Sequence, residues 1–429
     1  MEYFFMMILR LIILLVLAAF GLSLPVYSET NLILSGGTIY VSPTETPIEN
    51  GVIVIRDGKV AAIGKQGSIR IPKDVAILDC SGFSVVAGFW NNHVHFGERR
   101  WANAVNLPAH ELARQIQDML TRYGFTSVFD LSSPWENTHK IRDRIESGEI
   151  AGPRIRSTGE ALLNKGWMPP DQTLRALGVM QVQLNEVTNG AEALTASKKM
   201  LDAGTDGLKI FAAASFPPFE VLPDEVIRSA VNEAHRRDKL VFAHPTSRDG
   251  LLAAIKGGVD IIAHTTPQAG GAWDEVVITK MLEAKVALIP TLKVWRHVLR
   301  HDRASLVDQW AKTSTEQLRS WLEADGVILF GTDVGGATDD DNQIDEYELM
   351  ADAGMTFQQI LSSLTTAPAE IFNESSRLGR IVPGFAADLV VLNGDPSKDV
   401  QAFGRVQYTL RDGKIIYQDP TLRTADEHQ

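Results

Sequence analysis

Two histidines one residue apart, His93 and His95, lie in the run Gly88-Phe89-Trp90-Asn91-Asn92-His93-Val94-His95-Phe96. On a strand, residues i and i+2 face the same way, so two imidazoles can grip one cation. Imidazole is a common metal ligand near neutral pH. A lone His-x-His reads equally well as two ordinary polar histidines. Here four more ionisable residues follow, each at or near the end of a short apolar run. Lys209 lies in Gly207-Leu208-Lys209-Ile210-Phe211, and His244 closes Leu240-Val241-Phe242-Ala243-His244. His264 closes Ile261-Ile262-Ala263-His264, and Asp333 follows Val327-Ile328-Leu329-Phe330-Gly331-Thr332. Taken singly, His244 or His264 reads as a satisfied core histidine; the set of six reads as a metal centre.

The lysine determines what kind of centre. A protonated lysine is costly to bury in an apolar strand unless it is paired. Lys209 therefore reads either as a salt bridge to a barrel carboxylate or as a neutral amine that takes up carbon dioxide as a carbamate. Two carbamate oxygens can bridge two divalent ions about 3.5–4 Å apart. His93, His95 and Asp333 are then expected to hold one ion, and His244 and His264 the other. Such ions lower the pKa of bound water from about 15.7 towards 7 and so supply hydroxide at neutral pH. Asp333 is placed to take the proton and pass it to the leaving group. This chemistry serves amides, cyclic amides, lactones and esters alike. Zinc is the default metal for such nitrogen and oxygen donors, and manganese, iron and cobalt also fit.

These side chains need a scaffold that brings strand ends together. Continuous apolar runs suit strands buried in a parallel sheet. Helix-like stretches such as 224–237 and 247–257 alternate with them. Repeated strand–helix units with reactive residues at strand C-termini predict a TIM-type (β/α)8 barrel over residues 86–379. In a closed barrel the first and last strands are neighbours, which would bring His93 and His95 to Asp333. The flanks read as all β. Asp57-Gly58 and Asp412-Gly413 mark hairpins near opposite ends of the chain. Residues 29–85 and 380–429 are expected to pair into one small β-sandwich domain, since each patch alone leaves an apolar face uncovered.

Residues 1–28 read as a signal peptide. Phe4 to Leu22 is apolar apart from Arg10, and Ser28 offers a small residue at the cleavage point. Translation from Met6 or Met7 gives a more conventional start. An uncleaved membrane anchor is the alternative. The body is expected to be exported, periplasmic or extracellular. The 429 residues are 45% hydrophobic and 22% charged, a globular composition. A net charge of −12 argues against a nucleic-acid partner. The expected partner is a small-molecule substrate, with membrane contact only through an uncleaved N-terminus; a homo-oligomer is compatible. The single cysteine, Cys80, excludes an intrachain disulfide and reads as a buried inert thiol.

Substrate contacts are harder to read. Strand alternation points Asn91 inward below His93, as barrel packing or as a substrate contact. Thr291 and Lys293 end the seventh strand, with Lys293 either meeting a substrate carboxylate or solvated. Trp167 and Met168 suggest a lid or surface packing. The acidic stretch from Asp339, Asp340 and Asp341 through Asp345, Glu346 and Glu348 suits a cationic substrate or a helix start. No role is assigned to His110, His139, His235, His297 or His301.

The motifs also carry a resemblance. They are Ala87-Gly88-Phe89 with His93-Val94-His95, Gly207-Leu208-Lys209-Ile210, Ala243-His244, Ala263-His264-Thr265 and Gly331-Thr332-Asp333. Behind them come Thr366-Ala367-Pro368-Ala369, Gly379-Arg380-Ile381 and Pro383-Gly384-Phe385-Ala386-Ala387-Asp388-Leu389-Val390. After residue 30 the chain resembles the amidohydrolase superfamily, most of all its imidazolonepropionase-like and Xaa-Pro dipeptidase-like branch. The resemblance implies a (β/α)8 barrel with a β-sandwich built from both termini, two metal ions and a carboxylated Lys209 between them. Imidazolonepropionase itself is cytosolic and uses one metal without a bridging lysine. Dipeptidase-like relatives carry Ser-Gly-Gly after that lysine, where this chain has Phe211-Ala212-Ala213-Ala214-Ser215-Phe216-Pro217-Pro218. The expected function is an exported binuclear hydrolase of a carbon–nitrogen bond. Alternatives are a lactonase or esterase, a mononuclear deaminase, and a non-catalytic metal-stabilised binding protein. The complete ligand set favours an enzyme, and Lys209 argues against the deaminase.

Overall fold

The computed structural model describes residues 31–72, 74–168, 184–215, 218–269, 271–297, 304–336 and 342–422. The segment read as an export signal, residues 1–28, lies outside them. Among the described residues no helix is long and apolar enough to cross a membrane.

The chain forms a TIM barrel beside a sheet domain. Seven barrel strands run through Phe89–Val94, Phe125–Asp130, Arg154–Ser157, Gly207–Phe211, Leu240–His244, Ile261–Ala263 and Ala287–Ile289. All paired neighbours among them are parallel. The ring closes through residues 327–334. Leu288 bridges Ile328 on one side and Val94 bridges Val334 on the other. The Asn92 and His95 amides donate to the Phe330 and Val334 carbonyls, both at 2.8 Å.

The intervening helices begin where the sequence supplies caps. Asn189 caps Gly190–Asp202, Ser247 caps Arg248–Gly257 and Asp274 caps Glu275–Glu283, each side chain accepting first-turn amides. Each such cap contributes about 1 kcal/mol. The barrel centre is filled by Trp90, Phe129, Phe242, Phe372, Ile261 and Leu329. Phe129 and Phe242 lie 4.6 Å apart by ring centroids, and Trp90 stacks on Phe372 at 5.4 Å. This plug leaves the C-terminal rim as the place where polar side chains can meet.

The sheet domain joins both chain ends. Its strand order is Lys414–Gln418, Val406–Arg411, Leu389–Asn393, Phe83–Ala87, Leu32–Ile39, Ile48–Arg56, Lys59–Lys65, with Ala76–Asp79 added beside Leu32–Ile39. The weld is the antiparallel pair Phe83–Ala87 with Leu389–Asn393, in register from Leu389↔Ala87 to Asn393↔Phe83. Cys80 is fully buried in this domain's core, where burial pushes its thiol up to about 12. Arg154 of the third barrel strand pairs with Asp388 and Asp412, tying barrel to sheet.

Candidate metal centre

The first strand delivers His93 and His95 to the barrel rim, and the closing segment delivers Asp333. His95 Nε2 lies 2.7 Å from Asp333 Oδ1, His93 Nε2 lies 3.0 Å from the same oxygen, and the two imidazole Nε2 atoms are 3.2 Å apart. Two nitrogens and a carboxylate oxygen thus face one point. They are the described residues' one group of at least three histidine, cysteine or acidic side chains close enough to share an ion. The Asp333 amide donates to the His93 carbonyl at 2.8 Å, which fixes the approach. Gly335, at φ +81°, lets the chain turn past His95, because a Cβ there would lie 2.0 Å from the His95 carbonyl oxygen.

The other three residues adjoin this group. The ring of His264 lies 4.6 Å from that of His93 and 4.5 Å from that of His244. Lys209 and His244 come from neighbouring strands, with Lys209 opposite Phe242 and Phe211 opposite His244. Lys209 is 1% exposed, and its Nζ has no hydrogen-bond partner. The charge of Lys209 acts on His93, His244 and His264.

Electrostatics favour neutral imidazoles at His93, His244 and His264 and an ionised carboxylate at Asp333. Burial pushes His93 down to about 3 and holds His244 and His264 well below the usual histidine range. Burial alone would raise Asp333, but the neighbouring His93 and hydrogen bonds with His93 and His95 hold it well below the usual carboxylate range. Burial lowers the Lys209 amine to about 7, with Asp333 opposing. Neutral imidazoles keep a lone pair for a cation, and a neutral amine is nucleophilic. Such a donor set fits divalent ions, and the unpartnered Lys209 amine fits a group that awaits modification.

Several expected substrate contacts turn out to have structural duties. Asn91 does not point into the barrel centre below His93; Trp90 occupies that cluster instead. The register slips between Phe89 and Trp90 and again between Asn91 and Val94, so simple alternation fails there. Asn91 faces a seam, donating to Thr332 Oγ1 at 2.8 Å and Gln343 Oε1 at 2.9 Å. Its Oδ1 accepts the amides of Thr332 and His93, each at 3.2 Å. Lys293 does not end a strand or meet solvent. It sits fully buried in helix Leu292–His297 and donates to the Asn342 carbonyl at 2.8 Å. Glu346 is also fully buried rather than at the mouth. Asp339, Asp340, Asp341, Phe216, Pro217 and His301 lie outside the described residues. Trp167 donates to Glu220 at 3.3 Å and packs against the main core.

Asp130 is a residue the sequence reading passed over. It ends the second strand, is fully buried, and accepts from Ser133, from Ser157 at 2.6 Å and from Thr138 at 3.3 Å. Ser133 in turn accepts the Phe96 amide at 2.8 Å, next to His95. Burial raises the Asp130 carboxyl. The signal was present: Phe125-Thr126-Ser127-Val128-Phe129-Asp130 is another apolar run closed by an ionisable residue.

Known proteins share this fold. The chain is 26% identical over 415 residues to ochratoxinase of Aspergillus niger, covering 86% of this chain and 83% of that one. It is 23% identical over 446 residues to dihydroorotase of Clostridium acetobutylicum, covering 89% and 98% respectively. A crystal structure of a Xaa-Pro dipeptidase with bound methionine superposes with a TM-score of 0.77 at 22% identity, covering 91% of this chain and all of that one. Residues 84–416 match the Amidohydrolase family. The chain therefore belongs to the amidohydrolase family and is a hydrolytic enzyme.

Proposed function

We propose that this chain is an exported hydrolase that holds two divalent ions, zinc by default, and cleaves a carbon–nitrogen bond in an amide, peptide or cyclic amide. The observation that carries the reading is the Lys209 amine, buried without a partner among residues otherwise suited to bind cations. An isolated buried ammonium is expensive. Modification to a carbamate, whose oxygens could bind cations, would remove that cost. His93, His95 and Asp333 would hold one ion, His244 and His264 the other, with modified Lys209 between them.

When bound, such ions polarise a carbonyl and make water acidic enough to serve as nucleophile near neutral pH. The chain's own residues do the rest. Asp333 accepts the proton of the attacking water at its carboxylate and returns it to the departing nitrogen. Without ions, His93 and His95 both face that carboxylate at Oδ1. The buried rim limits bulk water at His93, Lys209 and His264, which are 1%, 1% and 3% exposed. Similarity to ochratoxinase and the likeness to a Xaa-Pro dipeptidase support a carbon–nitrogen bond as target. Export rests on the apolar run at residues 4–22.

The test is metal content of the purified chain, grown with and without added bicarbonate. It is paired with hydrolysis of dipeptides, N-acyl amino acids, cyclic amides and lactones. Two ions per chain, with amide or cyclic-amide hydrolysis lost on chelation, are expected. Full turnover in a metal-free sample would overturn the reading. Cell fractionation with N-terminal sequencing tests export, and an intact chain retained in the cytosol would refute it.

A further inference from the structure

His264 is held in an unusual way. It follows the sixth strand at φ +89°, and Thr291, after the seventh strand, has φ +45°. A β-branched residue with positive φ is a genuine outlier, and such strain persists only where its surroundings enforce it. The enforcing group is Glu346. Its Oε1 accepts the Leu292 amide at 2.9 Å and its Oε2 accepts the Lys293 amide at 2.8 Å. Both carboxylate oxygens thus hold the two amides after Thr291, in a fully buried position.

This pinned turn aims one hydroxyl at His264. Thr291 Oγ1 lies 2.7 Å from His264 Nδ1 and donates its own proton to the Pro290 carbonyl at 2.9 Å. A hydroxyl has one proton. With that proton committed to Pro290, Thr291 can only accept from His264, so Nδ1 carries hydrogen and Nε2 keeps the free lone pair. A hydrogen bond to one ring nitrogen commonly decides which nitrogen binds a metal.

Glu346 belongs to helix Ile344–Asp352, which follows the Asp333 segment. The preceding residue but two, Gln343, accepts from Thr332 Oγ1 at 3.0 Å, beside Asp333, and from Asn91. One short stretch of chain therefore braces both sides of the site.

We propose that Thr291 and Glu346 are positioning residues that present His264 Nε2 to the second of the two ions, and that Gln343 gives the same stretch its hold on the Asp333 side. The inference rests on the two-ion reading above. Its test is a chelator competition on the full chain, counting zinc ions per chain for wild type, Thr291→Val, Thr291→Ser and Glu346→Gln. Valine keeps the branched shape but cannot accept from His264. Glutamine keeps the size but offers one oxygen to two amides.

Thr291→Val is expected to lose one ion at about 10- to 100-fold lower chelator than wild type, while the other ion stays. Thr291→Ser is expected to retain both. Glu346→Gln should lose the same ion as Thr291→Val. Cobalt substitution adds a spectroscopic readout: the absorption of one of two ions should change in Thr291→Val and return in Thr291→Ser. Two ions held equally tightly by wild type and Thr291→Val would overturn this proposal while leaving the two-ion reading intact. A wild type that binds no ion would overturn both.

Discussion

Replacing Lys209 with methionine should stabilise the metal-free protein, although it removes a residue central to the proposed site. Lys209 is 1% exposed and its amine has no hydrogen-bond partner. Its folded pKa falls from 10.5 to about 7, mainly through burial. That shift corresponds to roughly 5 kcal/mol by which folding disfavours the protonated amine. Between the folded value and 10.5 the unfolded chain binds a proton that the folded chain does not. Wild-type stability therefore rises with pH across that window, and the whole penalty is present below it. Methionine has similar length, carries no charge and suits irregular apolar space. In chelator near pH 7, Lys209→Met should be more stable than wild type by at least about 2 kcal/mol, the lower range for an uncompensated buried polar group. The gap should shrink by several kcal/mol as pH approaches about 10. Urea denaturation of both proteins at the two pH values measures the difference, and groups common to both cancel. A variant less stable than wild type at both values, or a gap independent of pH, would show that the amine has a partner, and would remove the physical reason for its modification.

Asp333→Asn should lower turnover by about 10²- to 10⁴-fold while ions remain bound, because an amide cannot carry the proton. Unchanged turnover would contradict the assignment of Asp333 as the base. Asn91→Ala removes four hydrogen bonds and leaves the Thr332 amide only its long bond to the His93 carbonyl, at 3.4 Å. It should cost about 2–4 kcal/mol in denaturant unfolding, whereas a surface-like effect would show that the seam does not hold the barrel closed. Arg154→Met leaves Asp388, 5% exposed, without the guanidinium that joins barrel to sheet. A loss of about 3–5 kcal/mol is expected, and it should persist at high salt because the pair is buried.

The barrel and its six chemically suited residues were legible because they obey local rules. A strand buried on both faces reads as an apolar run, and an ionisable residue at its end is conspicuous. Lys209 was conspicuous on that basis, and His244 as one of the set. The hairpin at Asp57-Gly58 was equally visible, and it closes with Arg56 opposite Lys59. What failed were arguments from long-range geometry. Alternation placed Asn91 inside the barrel, but two register slips in its strand turn it to the seam with Gln343. Lys293 reads as a substrate contact or a solvated lysine only if the seventh strand runs past Pro290. The strand stops at Ile289, and a helix begins at Leu292 that buries the lysine. Glu346 read as part of a solvated helix start or of a mouth for a cationic substrate; it does lie in the first turn of helix Ile344–Asp352, but buried. Its burial depends on two amides 53 and 54 residues away in the chain, a partnership that no local pattern announces. Asp130 was the one omission that local pattern could have repaired.

The distribution of backbone strain ties these observations together. Away from the site, left-handed residues are mostly of types that tolerate that conformation, such as Asn50, Asp57, Asp238 and Asp325. At the candidate site Asp333 is of the same tolerant kind, but the two threonines are not. Thr246, His264 and Thr291 have φ of 53°, 89° and 45°, and Ser132 and Asp333 have 91° and 59°. Each such residue costs of order 1–3 kcal/mol unless its surroundings impose it. Here each is imposed. Asp333 is tied to the His93 carbonyl and His264 to the Ile289 carbonyl, both by amides at 2.8 Å. Thr246 donates to the Ala213 carbonyl, and the Ser132 amide donates to Thr158. Thr291 is held through Glu346. A glycine would relieve the strain at His264 or Thr291 but would bring no imidazole or hydroxyl to the rim. Residue identity there follows the chemistry, and the hydrogen bonds of neighbouring strands absorb the conformational cost. A barrel suits this arrangement because every strand end has a neighbour on both sides to supply those bonds.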